Sequence, residues 1–354
     1  MNTKFVTATL LPEWTPCEAV ILAWPNENTD WAPWLSDVVN TYTDLVKAIN
    51  AAGAGVILLC REQDKPAIRE TLAGAHVLLL DARYNDTWVR DYAFLTVAEG
   101  NKRVPVEFQF NGWGNKFNAQ RDNEVNQRYL SALCKHQIKT SSVVCEGGAL
   151  EIDQNGHLLS TLLCLSNPER NGAMTSSQYS TEFARILGSS QTTILRHGHL
   201  EGDDTDGHID TLVRYTPDSG LVIQSCHNRP DDGHYEGLSN LVDECKQAFP
   251  SHDVFELPLP AIFNEDNDRL PASYANYLIC NDSVLCPVYG QAEDEQAISA
   301  IQQAYPAFTV VPVNCYPLVQ QYGSLHCITM QVPVDTLKPE IQHQLTQGVT
   351  EYVS

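Results

Sequence analysis

One motion repeats along this chain. An apolar strand runs into a short bend rich in aspartate, glutamate or glycine, a strand hairpin leaves it, and an amphipathic helix closes the unit. Such bends fall at Asp86–Asp91, Glu146–Gly148, Asp203–Asp210 and Gly323–Cys327, and a fifth unit begins near Ala272. Most of these starts are roughly 55 to 65 residues apart, a spacing that fits degenerate repeats of supersecondary size. Units arranged radially would bring equivalent loops to one shared centre.

The elements can be read from apolar periodicity. Ala19–Trp24 reads as a buried strand. Leu35, Val38, Val39, Tyr42, Leu45, Val46 and Ile49 fall on one helical face, which Gly53 and Gly55 end. Strands follow at Val56–Cys60 and His76–Leu80, around a short helix at Pro66–Leu72. Further helices are marked by Val125 to Leu133, Phe183 to Leu187, Leu238 to Phe249 and Ile298 to Tyr305. Alternating strands and helices make this an α/β protein. With no linker rich in Pro, Gly or Ser, residues 1–354 read as a single catalytic domain.

Hydrophobic residues make up 43% of the chain, enough for a substantial core. The 22 basic and 44 acidic residues leave a formal charge of −22, which repels phosphate backbones and anionic lipid. No nucleic-acid or membrane partner is expected; the acidity suits the attraction of small cations and equally the solubility of a protein in a crowded cytoplasm. Eleven cysteines, an odd number without CxxC pairs, read as buried free thiols of a reducing compartment. The Met1–Leu11 stretch lacks the apolar length of a secretion signal, and no run approaches a membrane span. The expected location is the cytoplasm, and homo-oligomerisation is left open.

The bends hold the chemistry. Cys327 lies between an imidazole and a hydroxyl in Gly323-Ser324-Leu325-His326-Cys327-Ile328-Thr329, a plausible setting for a thiolate nucleophile. Trp88-Val89-Arg90-Asp91 puts an aromatic ring and a carboxylate before an exit strand, Tyr92–Val97; taken alone, Arg90 and Asp91 read more simply as a surface ion pair. Glu146 follows an apolar run and precedes two glycines that permit close approach. Gly202–Asp210 is the densest polar cluster; a strand starting at His208 would put His208 and Asp210 on one face. Its acids, with His197 and His199 nearby, also admit a metal reading, but no second His-rich motif completes a ligand set and the acids lack a calcium-loop spacing. No metal or organic cofactor is therefore expected.

Two carboxylates can grip a planar cation, a histidine can move protons, another carboxylate can hold that histidine, and a thiolate can attack. The natural target of such a set is a guanidinium group. These motifs, in this order, resemble the agmatine deiminase and bacterial-type peptidylarginine deiminase family of the guanidino-modifying superfamily. The resemblance runs from Glu13-Trp14 and Trp24-Pro25 through Asp86–Asp91, Asn111-Gly112-Trp113-Gly114, Glu146-Gly147-Gly148 and Asn167–Asn171 to Gly202–Asp210 and His326–Thr329.

The resemblance implies a pentein-type fold, an α/β propeller of five ββαβ modules around a central active-site pore. It also implies Cys327 as nucleophile, His208 as acid/base oriented by Glu146, and Asp91 and Asp210 gripping the guanidinium, with Trp88 and Trp113 lining the pocket. The implied reaction is hydrolysis of agmatine to N-carbamoylputrescine and ammonia, with peptidyl-arginine or free arginine as the alternative substrates. A non-catalytic binding protein and a metal-dependent hydrolase are the more distant alternatives. Two loops depart from the family pattern, Tyr322-Gly323-Ser324 and the short Ala261–Pro271 stretch, and both are expected to border the far end of the substrate.

Overall fold

The computed structural model describes residues 8–353, so most of the Met1–Leu11 stretch lies outside the described residues. Five of its sheets share one local plan, in which a first strand pairs antiparallel with a second and a helix carries the chain to a third strand parallel to the second. The parallel third strand requires such a crossover, because two adjacent parallel strands cannot be joined by a tight turn.

The first unit is built from both ends of the chain. Met330–Pro333 pairs with Cys17–Ala23, and the helix Leu35–Ala51 crosses to Gly55–Cys60. Val77–Asp81 and Val349–Glu351 extend this sheet. The second unit contains Leu95–Glu99, Lys102–Gln109, helix Gln120–Arg128 and Lys139–Val144. The third contains Glu151–Ile152, His157–Thr161, helix Ser176–Leu187 and Gln191–Leu195. The fourth runs Val213–Tyr215, Gly220–Gln224, helix Tyr235–Ala248 and Asp253–Leu257. The fifth runs Leu278–Cys280, Ser283–Val288, helix Asp294–Ala304 and Thr309–Asn314.

The helices lie where apolar spacing puts them. Leu35–Ala51 buries Val38, Tyr42, Leu45, Val46 and Ile49 against strands whose residues are almost all buried, which is the main source of helix stability in a protein. That helix ends at Ala51, with Gly53 at φ +86°, whereas Gly55 opens the next strand. There a Cβ would fall 2.8 Å from the Leu345 side chain, so Gly55 serves packing instead of helix termination.

Two expected strands are corrected. Val89–Tyr92 forms a short helical turn and the exit strand begins only at Leu95. His208 precedes a 3₁₀ turn, Ile209–Thr211, and the strand begins at Val213. In both places the polar residues must turn into the interior, and a helical turn reverses the chain in fewer residues than a strand.

All eleven cysteines are free and buried. Among the described residues no helix is long and apolar enough to cross a membrane.

Candidate active site

Every unit sends the segment before its first strand to the same place. Asp91 precedes the second sheet, Glu146 the third, His208 and Asp210 the fourth, Asn276 the fifth and Cys327 the first. Four of these bends are legible as polar motifs. The fifth is not, because Ala272-Ser273-Tyr274-Ala275-Asn276 carries no charge.

Gly148 measures the convergence. A Cβ there would lie 2.7 Å from His208 Nδ1, 2.8 Å from Asp91 Oδ1 and 3.1 Å from Asp210 Oδ2, so the absent side chain lets three units meet. Its N–H donates to Asp91 Oδ1 at 3.0 Å, and the Trp113 indole N–H donates to Asp91 Oδ2 at 2.9 Å. Asp91 and Arg90 are both buried and are not a surface pair; Arg90 faces away, 3.3 Å from Glu13.

His208 and Asp210 both turn toward Gly148 despite the missing strand, but only Asp210 reaches the cavity above Cys327. His208 Nδ1 is 3.6 Å from Asp91 Oδ1, and its Nε2 is 3.8 Å from Glu146 Oε2. Both Glu146 oxygens accept from Arg170 Nε, at 2.9 and 3.0 Å. Arg170 lies in the Asn167–Asn171 motif and pairs also with Asp206 at 2.7 Å; its role as partner of Glu146 had no spacing signal.

Cys327 is 8% exposed. Its Sγ is 3.3 Å from Asn276 Oδ1 and 3.9 Å from Asp210 Oδ2. The same Asn276 oxygen accepts the His326 and Cys327 backbone N–H groups at 3.0 and 3.4 Å, which orients the nucleophile loop. Three buried polar atoms around this centre have no protein partner: Asp210 Oδ1, Asn276 Nδ2 and His208 Nε2. Buried polar atoms are seldom left unpaired, and the first of them is an acceptor suited to an incoming N–H.

The electrostatics are uneven. Burial, with Asp210 and Glu146 adding negative charge, pushes Asp91 up to about 6. Burial would raise Asp210 too, but the His326 hydrogen bond and nearby positive groups bring it below the usual carboxylate value. Burial alone would lower His208; the Asp91 charge outweighs it and holds the imidazole well above its ordinary value. Glu146 would likewise rise on burial, yet His208 and Arg170 bring it down. Burial and then the charges of Asp210 and Asp91 push the Cys327 thiol well up.

Above Cys327 opens a cavity of about 120 Å³. Asp91, Asp210, Asn276 and Cys327 form its inner end and Trp88 and Trp113 its walls. Glu146 and His208 lie behind this surface and do not line it. Gly323 is forced by Trp88, whose ring would stand 2.4 Å from a Cβ. Both divergent loops reach the cavity, through Tyr322-Gly323-Ser324 and Pro271, although Ala261–Leu270 stays outside it. Six aspartates line the space (Asp30, Asp86, Asp91, Asp203, Asp204 and Asp210), and no lysine or arginine among the described residues does. Phe117 and Tyr322 are 49% and 37% exposed and also line it.

The metal reading finds one group among the described residues: Glu146, Cys164 and His208 offer ligand atoms within 4.8 Å of one another. His197 and His199 are exposed and do not join it. A metal ion there would compete with Arg170, which already occupies both oxygens of Glu146.

The sequence profile of the Porphyromonas-type peptidyl-arginine deiminase family matches residues 9–333. A Yersinia pestis protein provisionally named agmatine deiminase is 27% identical over 350 residues, covering 91% of this chain and 94% of its own. The structure of a Porphyromonas gingivalis protein provisionally named arginine deiminase is 36% identical, with a TM-score of 0.84 over 94% of this chain and 100% of the other. That of C. jejuni agmatine deiminase with substrate bound is 29% identical, with a TM-score of 0.86 over 94% and 97% of the two chains.

Proposed function

From the premise that this chain belongs to the Porphyromonas-type peptidyl-arginine deiminase family, we propose that it hydrolyses the guanidinium group of agmatine to N-carbamoylputrescine and ammonia. One observation carries the reading: a thiol at the inner end of a cavity with two buried carboxylates beside it, and no basic residue among the described residues of its lining. In this reading residues 1–354 are one catalytic unit. The five like units are modules of a propeller whose axis the entry bends surround.

The guanidinium lies between Asp91 and Asp210, and its charge offsets the two carboxylates that hold the Cys327 thiol protonated. Substrate binding therefore favours the thiolate. Cys327 Sγ forms a bond to the guanidinium carbon. His208 stands just behind the lining, so the step requires the bound guanidinium to reach it past Asp91; kept protonated there, it gives its proton to one nitrogen, and ammonia leaves as the C–N bond breaks. An amidino-thioether remains on Cys327. Water attacks the same carbon and loses one proton to neutral His208; the C–S bond then breaks to restore the thiolate, and the remaining hydroxyl proton passes to the released ammonia or to solvent as the ureido product leaves. Clamping a planar cation in line with the nucleophile supplies orientation worth several kcal/mol of barrier. Glu146, fixed by Arg170, orients His208.

The far end of agmatine is an ammonium, and Asp30, Asp86 and Asp204 of the lining suit it better than a carboxylate. The second reading is a peptidyl-arginine substrate, favoured by the family to which the chain belongs and by the open aromatic mouth at Phe117 and Tyr322. Parallel assay of ureido product from agmatine, free arginine and an arginine peptide decides between them. Turnover of the peptide equal to or above that of agmatine reverses the ranking.

A further inference from the structure

Glu13 lies beyond the inner end of the substrate cavity and does not line it; it lines a second, smaller cavity together with Arg90, Gly147 and Gln331. Four side chains converge on its carboxylate. Arg214 Nη2 donates at 2.5 Å, Gln331 Nε2 at 3.0 Å, and Arg90 Nη1 stands 3.3 Å away. The fourth is His326, whose Nε2 is 2.8 and 3.0 Å from the two oxygens. The other nitrogen of that ring, Nδ1, is 2.7 Å from Asp210 Oδ2. His326 thus spans from Glu13 to one oxygen of Asp210, leaving the other, Oδ1, without a protein partner.

The charges give this chain of contacts its meaning. Arg90 and Arg214 are both fully buried, and Arg214 already holds Glu151 at 2.9 Å. Burial and the Glu13 charge push the Glu151 carboxyl up to about 7, so Glu13 is the carboxylate that answers Arg90 and Arg214 together, and with it ionised Asp210 remains available to the substrate cavity. Without that charge, the buried centre carries an unmatched positive charge beside a pocket built for a cation, and Arg214 has reason to draw Asp210 inward. Burial would raise the Glu13 carboxyl, but Arg214, His326 and Arg90 hold it well below the usual range.

We propose that Glu13 is a positioning residue of the guanidinium clamp: through His326 it fixes which oxygen of Asp210 faces the substrate, and it cancels the arginine charge that would otherwise claim that carboxylate. The inference rests on the reading of Asp91 and Asp210 as a clamp, not on the identity of the product.

Calorimetric binding of agmatine and of free guanidinium ion to the Cys327→Ala protein reads the clamp without turnover. Adding Glu13→Gln is expected to weaken binding about tenfold or more, the scale of one lost charge-assisted hydrogen bond. Glu13→Asp keeps the charge and is expected to stay within about threefold of the parent by the same scale. Gln331→Leu touches the same cluster without altering its charge, and should lower the melting temperature while leaving binding within about twofold. Unchanged binding in Glu13→Gln overturns the proposal, as does a Gln331→Leu protein that binds just as weakly. If Glu13→Gln does not fold, His326→Gln carries the test, with unchanged affinity overturning the proposal and weakened affinity supporting it. A Cys327→Ala protein that binds neither ligand removes the clamp and this inference together. Binding without turnover by the wild type removes only the deimination reading.

Discussion

Asp91 and Asp210 are the same side chain, both buried and both lining one cavity, yet their surroundings drive them apart. Asp91 has only neutral donors within hydrogen-bond reach, Trp113 and the Gly148 backbone; His208, 3.6 Å away, opposes burial in part, but burial with the charges of Asp210 and Glu146 wins and takes the carboxyl to about 6. Asp210 meets His326, with Arg214 behind it, and those groups outweigh an equal burial. Desolvation alone therefore does not decide whether an interior carboxylate is charged; the partner within hydrogen-bond reach does. One half of the proposed clamp is ready-ionised by the protein. The other half waits on His208 and on the cation it binds.

The largest expected effect concerns the atom between the two carboxylates. Cys327→Ala should reduce turnover by about 10⁴-fold or more, as for other covalent nucleophiles, while a calorimetric titration with agmatine still shows binding. Residual turnover near the wild-type rate would remove the covalent route. Next, Asp91→Asn and Asp210→Asn should each lower kcat/KM by about 10²- to 10³-fold, because each leaves a cation half-paired in a buried site. A loss at one position only would mean that a single carboxylate does the gripping.

The pH dependence sharpens the contrast. Asp91 must be ionised to hold the guanidinium, so kcat/KM of the wild type should fall as the pH drops through about 6. Asp210, held below the usual value, should impose no limb in that range. A profile flat down to pH 5 would contradict the assignment.

The smallest effect is on stability. The folded Asp91 carboxyl lies above its unfolded value of about 3.9. What it contributes to stability is therefore present in full below the unfolded value and lost as the pH rises through about 6. Asp210 has the opposite sign, its contribution present above the unfolded value and lost as the pH falls through a depressed one. Melting curves of Asp91→Asn and the wild type should accordingly shift in favour of the variant between pH 5 and pH 8. The reverse trend would show that Asp91 is not the destabilised member of the pair.

Much of the site was legible because its charged members sit in bends that interrupt apolar runs. Cys327, His208, Asp210, Asp91 and Glu146 could all be picked out that way, and Trp88 and Trp113 came with the motifs. Asn276 could not, since an uncharged residue between Ala275 and Tyr277 carries no signal until the loop is seen beside Cys327. Glu13 and Arg170 stood inside recognisable motifs, but their partners lie 313 and 24 residues away in the chain. The strand phase expected at His208 failed for a local reason: a 3₁₀ turn rather than an extended segment delivers Asp210 to the interior.

The residue pattern by itself determined the alternation of strands and helices, the order of the polar bends and the kinds of chemical group they carry, because periodicity and composition act over neighbouring residues. Which carboxylate is charged, which imidazole faces Asp91 and which faces Asp210, and that an asparagine joins the thiol were decided only in three dimensions. Those outcomes depend on distances of about 3 to 4 Å between segments far apart in the chain, where the balance of burial against nearby charge is set.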